Sequence, residues 1–261
     1  MSCDPARLQR TQAGVMVSGI RQVLLDIEGT TCPVSFVAGT LFPYASRAMG
    51  EFLAREAPAR EEVRRLLEAV HEAWRQDPDP EAKALLERNP LDSAAYLRWL
   101  IEQDRKLPPL KELQGLVWRA GYDSGELVAP LFDDVAENLR GWRQQGLGLS
   151  VYSSGSVTAQ QLLYQHSRAG DLRGLFQHWF DTRTGPKQSS SSYSTIASAL
   201  KAEPREVLFV SDSAAECRAA QAAGMAVLFS DREGNPQRDP QEFTAITSFD
   251  EVSFSSSETW G

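Results

Sequence analysis

The sequence predicts an α/β protein: a parallel sheet covered on both faces by helices, with an all-helical insertion after its first strand. Three observations carry this. From Asp133 onward, short apolar runs alternate with helical patterns. An isolated apolar run, Val23-Leu24-Leu25, precedes them, and from about residue 36 to 130 the pattern is helical without a convincing strand. Several runs end in carboxylates, hydroxyls or glycine, which α/β folds use for ligands at the carboxyl ends of strands.

Residues 1 to about 18 are polar and read as a loose tail, in which Met16 is a candidate start. The first strand ends at Asp26-Ile27-Glu28-Gly29-Thr30-Thr31, two acids one residue apart followed by a glycine that permits a tight turn. Side-chain alternation would bring Asp26 and Glu28 out on one side. A helix begins around Ala45, and Glu61 to Gln76 follows with Val63, Leu66, Leu67, Val70 and Trp74 on one face. Pro80 to Glu87, Ser93 to Gln103 and Pro109 to Ala120 continue the helical block, punctuated by Asp77-Pro78-Asp79-Pro80 and Pro108-Pro109.

Beyond the block, a helix over Val135 to Gln145 leads to a strand over Leu147 to Tyr152 that ends in Ser153-Ser154-Gly155-Ser156. After a further helix comes a weak strand near His178 to Phe180. Gly185-Pro186-Lys187 then precedes a helix around Tyr193 to Leu200, with the serines 189 to 192 as its solvated start. Val207 to Val210 is fully apolar and stops at Ser211-Asp212; a helix over Ala214 to Ala223 and a last strand over Ala226 to Phe229 complete the pattern. The predicted organisation is a tail over 1–18, a core over 19–35 and 131–261, and a helical cap over 36–130.

Composition narrows the function classes. At 261 residues, 42% hydrophobic and 24% charged, the chain is ordinary for a soluble globular protein. A net charge of -8 argues against a nucleic-acid binder, which needs a basic face. Cys3, Cys32 and Cys217 have neither disulfide-framework nor metal-ligand spacing, and His71, His166 and His178 form no metal signature. No apolar run reaches membrane-spanning length. The expectation is a cytoplasmic monomer that acts on a small molecule, with no nucleic-acid or membrane partner.

The strand ends together describe a phosphate site. Asp26 is the candidate nucleophile, since a carboxylate can attack phosphorus and form an aspartyl-phosphate. Glu28 is placed to protonate the leaving oxygen and then to activate water. Ser153 and Ser154 can hold phosphoryl oxygens at a helix N-terminus, whereas Ser156 reads as the helix cap. Lys187 offsets negative charge. Asp212 follows a fully apolar strand, where a carboxylate is costly unless paired or metal-bound, and a Mg²⁺ shared with Asp26 and a phosphate oxygen would satisfy it. Ser213-Ala214-Ala215-Glu216 reads as a capping box, preferred for Glu216 over a place near the metal.

These four elements, in this order, resemble the haloacid dehalogenase (HAD) superfamily of aspartyl-phosphate phosphatases. The Asp-x-Glu of Asp26-Ile27-Glu28-Gly29-Thr30 narrows the resemblance, as do Cys32 to Val37, Leu41-Phe42-Pro43-Tyr44, Asp104-Arg105-Lys106, Leu113 to Trp118, Tyr152 to Val157, and Thr184 to Lys187 with Ser192-Tyr193 beyond. Together they are similar to the enolase-phosphatases of methionine salvage (acireductone synthases). The resemblance implies a Rossmann-like core with an inserted cap. It also implies conversion of 2,3-diketo-5-methylthiopentyl-1-phosphate to the acireductone 1,2-dihydroxy-3-keto-5-methylthiopentene and phosphate, by enolisation and then hydrolysis. It further implies Mg²⁺ bound through Asp26, Glu28 and Asp212, with Ser153, Ser154 and Lys187 on the substrate. Lys106 lies in one of the family-like strings and is a candidate substrate contact, against the ordinary reading of a solvated helix-end lysine. The base for enolisation is not legible in the spacing. The competing reading is a Mg²⁺-dependent phosphatase of the same superfamily that acts on another small phosphorylated metabolite.

Overall fold

The computed structural model describes residues 7–255. The chain divides into two compact units, one reaching up to Phe36 and resuming at Val128, the other Val37–Leu127.

The first unit carries two sheets. Strands β1 (Arg7–Thr11) and β2 (Gly14–Ser18) form an antiparallel hairpin, and β9 (Val252–Phe254) joins β2 in parallel. This corrects the expectation of a loose tail over 1–18, of which residues 1–6 lie outside the described residues. The cause is a period-2 pattern: Val15 and Val17 are buried while their neighbours are partly exposed. Met16 lies within β2, paired with Gln9 and Ser253.

The larger sheet holds β3 (Gln22–Leu25), β4 (Gly148–Tyr152), β5 (His178–Phe180), β6 (Val207–Ser211), β7 (Ala226–Ser230) and β8 (Ala245–Ile246), in the order β5-β4-β3-β6-β7-β8. Every pairing within it is parallel. The predicted strands are all present, and β8 extends the pattern expected to close at Phe229. From β3 the chain steps outward to β4 and β5, then returns to lay β6, β7 and β8 on the other side. The order thus reverses beside β3, and the crevice outside the strand ends there is the expected ligand position in such sheets.

Strands β4 and β6 are buried at every position, which is why β6 reads as a continuous apolar run up to Ser211. One face packs Leu24, Phe209, Val227 and Phe229 against Tyr193 and Ile196 of α9 (Ser190–Ala199) and Cys217 and Ala220 of α10 (Ala214–Ala222). The alternate positions Val23, Leu25, Val151, Leu208, Val210 and Leu228 are equally buried, so both faces are covered. Helices α7 (Val135–Gln144) and α8 (Val157–Gln165) pack against β4 and β5 respectively. A single turn, α1 (Val34–Phe36), ends the unit's first segment.

The second unit opens with a π-helical stretch, Val37–Leu41, and continues through α2 (Phe42–Glu56), α3 (Glu61–Gln76), α4 (Pro80–Arg88), α5 (Ser93–Glu102) and α6 (Pro108–Asp123). Helix α3 has the bounds its periodicity predicts and buries Val63, Val70 and Trp74. Asp79 and Asp92 cap α4 and α5 by accepting the Glu81 and Ala95 amides. Asp77, between α3 and α4, accepts the Tyr96 hydroxyl at 2.7 Å and pairs with Arg105 at 2.8 Å, which ties the α5–α6 loop to the unit's core. Among the described residues, no helix is long and apolar enough to cross a membrane.

Candidate active site

Strand β3 ends at Leu25, and Asp26 continues its line by donating its amide to the Val210 carbonyl of β6. The chain then turns tightly. The Ile27 carbonyl accepts the amides of Thr30, Thr31 and Cys32, and Gly29 takes a φ of +67°. Glu28 is therefore placed by this turn and not by strand alternation. The turn is fastened to β7, because Ser230 Oγ and Asn235 Nδ2 each donate to the Gly29 carbonyl at 2.9 Å.

The Asp26 carboxylate is buried and fully engaged. Oδ1 accepts the Ile27 amide at 2.8 Å and pairs with Lys187 Nζ at 2.8 Å, and Oδ2 accepts from Ser211 Oγ at 3.0 Å. Lys187 Nζ also lies 2.7 Å from Glu216 Oε2, which is 3.1 Å from Ser211 Oγ. Ser211 has one proton for two carboxylates, so it couples the Asp26 and Glu216 positions. Burial pulls the Lys187 ammonium toward the neutral form, but Asp26 and Glu216 outweigh it and hold its pKa above the ordinary lysine value. Glu216 is pushed up to about 7, first by burial and then by the Asp26 charge, with Lys187 countering.

Glu216 corrects the capping-box expectation. Ser213 does cap α10, accepting the Glu216 amide, but the Glu216 side chain turns to Lys187 and Ser211. A charged partner held out of water is worth more to a carboxylate than an exposed backbone amide. Its sequence signal was the spacing: Glu216 is four residues beyond Asp212, in the first turn of the helix that follows the strand. Sequence reasoning passed over Ser211 altogether, although a hydroxyl ending a fully buried strand needs partners.

Ser153 and Ser154 sit past the end of β4, whose Val151 pairs with Leu25, and so adjoin the Asp26 strand end. Ser153 is buried with Oγ accepting the Gly155 amide at 3.2 Å, whereas Ser154 is exposed. Ser156 caps α8 as expected, accepting the Ala159 amide. Ser192, expected among solvated serines, is buried and donates to the Pro186 carbonyl at 2.8 Å. Lys106 is exposed, on the loop anchored by Arg105 in the second unit.

The model for haloacid dehalogenase-like hydrolases matches residues 20–224. The chain is 52% identical over 219 residues to the enolase-phosphatase E1 of Synechococcus sp. strain RCC307, covering 84% of this chain and 88% of that protein. It is 48% identical over 234 residues to the enolase-phosphatase E1 of Prochlorococcus marinus strain MIT 9313, covering 87% and 95%. The chain belongs to the enolase-phosphatase E1 family of the HAD-like hydrolases. The crystal structure of the UTR4 protein of Saccharomyces cerevisiae shares the fold, with a TM-score of 0.67 and 32% identity over 88% of this chain and 98% of that one. So does CbbY of Rhodobacter sphaeroides in complex with phosphate, with a TM-score of 0.56 and 20% identity over 90% and 97%.

HAD phosphatases are typically metal-dependent, and the donor chemistry of this enolase-phosphatase fits a hard divalent cation. Asp212, at the end of β6, has its pKa pushed up to about 7 by burial and by the charges of Asp26 and Glu28, with Lys187 as the countering cation. Its carboxylate lies against Gly29, where a Cβ would sit 2.6 Å from Asp212 Cγ. Glycine at 29 therefore lets the Asp212 carboxylate close on the Asp26–Glu28 turn. Among the described residues, no three His, Cys, Asp or Glu side chains form a metal cage by themselves. Mg²⁺ does not need one, since it keeps waters and takes substrate oxygens beside one or two carboxylates.

Proposed function

We propose that this enolase-phosphatase converts 2,3-diketo-5-methylthiopentyl-1-phosphate to the acireductone 1,2-dihydroxy-3-keto-5-methylthiopentene and phosphate in methionine salvage, with Asp26 as its nucleophile. The observation that carries the reading is the Asp26 carboxylate, buried at the carboxyl end of a central parallel strand and held 2.8 Å from a lysine whose positive charge is enforced. The family membership supplies the substrate. The reading takes the protein as a monomer in the cytoplasm.

Enolisation moves a proton from C1 of the diketone to the oxygen on C2, with no net change in oxidation state. Phosphoryl transfer follows. An Asp26 carboxylate oxygen bonds to phosphorus, the bond from phosphorus to the C1 oxygen breaks, and that oxygen keeps the electron pair and takes a proton from Glu28. Glu28 then removes a proton from water as it attacks phosphorus, and cleavage of the phosphorus–Asp26 bond restores the carboxylate. Ser153, Ser154 and Lys187 hold the non-bridging oxygens, where negative charge accumulates. A Mg²⁺ would be held through the Asp26 and Asp212 carboxylates and through Glu28 by its backbone carbonyl, which leaves the Glu28 side chain free for proton transfer, and would supply Lewis-acid charge to the phosphate and to the carbonyl oxygens of the substrate.

The test follows enediol absorbance and phosphate release together on the diketone phosphate with Mg²⁺. Asp26→Asn should fold normally, still form the enol, and release phosphate slower by roughly 10⁴-fold or more, as when a covalent nucleophile is lost. Phosphate release by that variant at the wild-type rate refutes the nucleophile. Phosphate release by the wild type without enolisation would favour a phosphatase for another metabolite.

A further inference from the structure

The segment Gly185-Pro186-Lys187 has no regular secondary structure, yet it carries the cation of the site. Its three consecutive carbonyls are each held by a different buried hydroxyl. Tyr152 Oη donates to the Gly185 carbonyl at 2.9 Å, Ser192 Oγ to the Pro186 carbonyl at 2.8 Å, and Tyr193 Oη to the Lys187 carbonyl at 2.7 Å. All three donors are at most 2% exposed. The backbone is fixed from both sides: Gly185 has a φ of +147°, with Ser192 filling the space a Cβ would need, and Pro186 locks its own φ. The Tyr152 ring then lies under the lysine, with Nζ 5.7 Å from its centroid.

We infer that Tyr152, Ser192 and Tyr193 are positioning residues for the reaction, a hydroxyl clamp that fixes the Lys187 backbone so that its ammonium meets the nucleophile and the transferring phosphoryl group. A loop would ordinarily be among the more mobile parts of a fold. Three hydrogen bonds on three adjacent carbonyls remove that freedom at the residue where a displacement of about 1 Å costs up to ~100-fold in rate. The hydroxyls do not touch substrate and act through Lys187. Charge on the phosphoryl oxygens grows toward the transition state, so loss of the clamp should fall more on kcat than on KM. This inference rests on the enolase-phosphatase reading.

The experiment measures kcat and KM on the diketone phosphate for Tyr193→Phe and Ser192→Ala, each made in the wild type and in Lys187→Ala. Orthovanadate affinity of the Mg²⁺-loaded protein gives a second readout where turnover is too slow. In the wild-type background, Tyr193→Phe should lower kcat by about tenfold with KM changed less than about threefold. In Lys187→Ala it should change neither kcat nor vanadate affinity by more than about twofold, because the group it positions is gone. Equal losses in both backgrounds, or no loss in the wild type, would overturn the clamp. Should Tyr193→Phe fail to fold, Ser192→Ala carries the same comparison. Failure of the functional reading looks different: the wild type leaves the diketone phosphate unchanged, or Lys187→Ala turns it over normally.

Discussion

Replacing Gly29 by alanine separates two roles of one residue. At a φ of +67° an alanine is in the left-handed region, which costs about 1–2 kcal/mol. The new Cβ would stand 2.6 Å from Asp212 Cγ and 2.9 Å from Asn235 Nδ2, well inside ordinary contact. The Asp212 carboxylate must therefore retreat by about 1 Å. A misplacement of that size at a group that holds charge around the nucleophile is worth about 100-fold in kcat. The backbone cost alone should lower Tm by roughly 3–6 °C, a modest effect for a chain of this size. Gly146 supplies the control: its φ is +87° but a Cβ there meets nothing within 4 Å, so Gly146→Ala carries the strain without the displacement. Steady-state phosphate release, a thermal melt and Mg²⁺ titration calorimetry on both variants complete the assay. Similar Tm losses, with kcat and Mg²⁺ affinity lost only in Gly29→Ala, are the expected result. A Gly29→Ala enzyme within twofold of the wild type would show that Asp212 has no exacting place in the site.

Two further predictions concern stability. Asp212 and Glu216 both have folded pKa values raised to about 7, so between about pH 4 and 7 the folded state binds more protons than the unfolded one. Their stabilising contribution is complete below about pH 4 and is lost as pH rises through 7. Metal-free protein should therefore show a lower urea midpoint at pH 8 than at pH 5.5, with Mg²⁺ raising the pH 8 value; a higher midpoint at pH 8 without metal contradicts the assignment. Arg232, 5% exposed at its side chain, pairs with Asp134 at 2.8 Å and donates to the Thr247 carbonyl, its guanidinium lying over the Phe132 and Phe249 rings. Arg232→Ala leaves Asp134 buried and unpaired, and should cost about 3–5 kcal/mol by chemical denaturation; a loss under 1 kcal/mol would mean water replaces the guanidinium.

What the sequence disclosed depended on how local the determinant was. The positions of Asp26, Ser153 and Asp212 past strand ends, and of Lys187 after a glycine, were legible because each closes or follows a short apolar run or a glycine turn, a pattern that needs no distant partner. Helix α3 was legible to its bounds for the same reason. The β1–β2 hairpin was not, since its alternation spans only five residues per strand and β9, the strand that completes its sheet, comes from the far end of the chain. Strand β8, two residues long, leaves no period to detect. Glu216 and Ser192 show the harder case. Glu216 has a plausible local partner in a backbone amide and is claimed instead by Lys187, a charged group brought near by folding, whereas Ser192 gives up water for the Pro186 carbonyl six residues back. Local hydrogen-bond grammar predicts the competitor and not the winner when the winner is buried and charged.

Charge balance explains why a chain of net charge -8 can take a phosphorylated substrate. Across the ends of β3 and β6 the Asp26 charge raises both Asp212 and Glu216 and Glu28 raises Asp212, and Lys187 is the cation that offsets Asp212 and Glu216. Left so, two of the acids rise to about 7, first because they are buried and then because Asp26 repels them, so a phosphate dianion would enter a site with no spare positive charge. A divalent cation on the Asp26–Asp212 side would offset that deficit and leave Lys187 to face the phosphoryl oxygens. The two cationic contributions differ in how they are secured. A metal ion is fixed by its ligands, but the lysine sits on an irregular loop, so its backbone must be held in place for its ammonium to reach the Asp26 and Glu216 carboxylates. That asymmetry gives the three buried hydroxyls behind Gly185, Pro186 and Lys187 their purpose, since the phosphoryl oxygens lose the cation that the chain itself supplies when that ammonium moves.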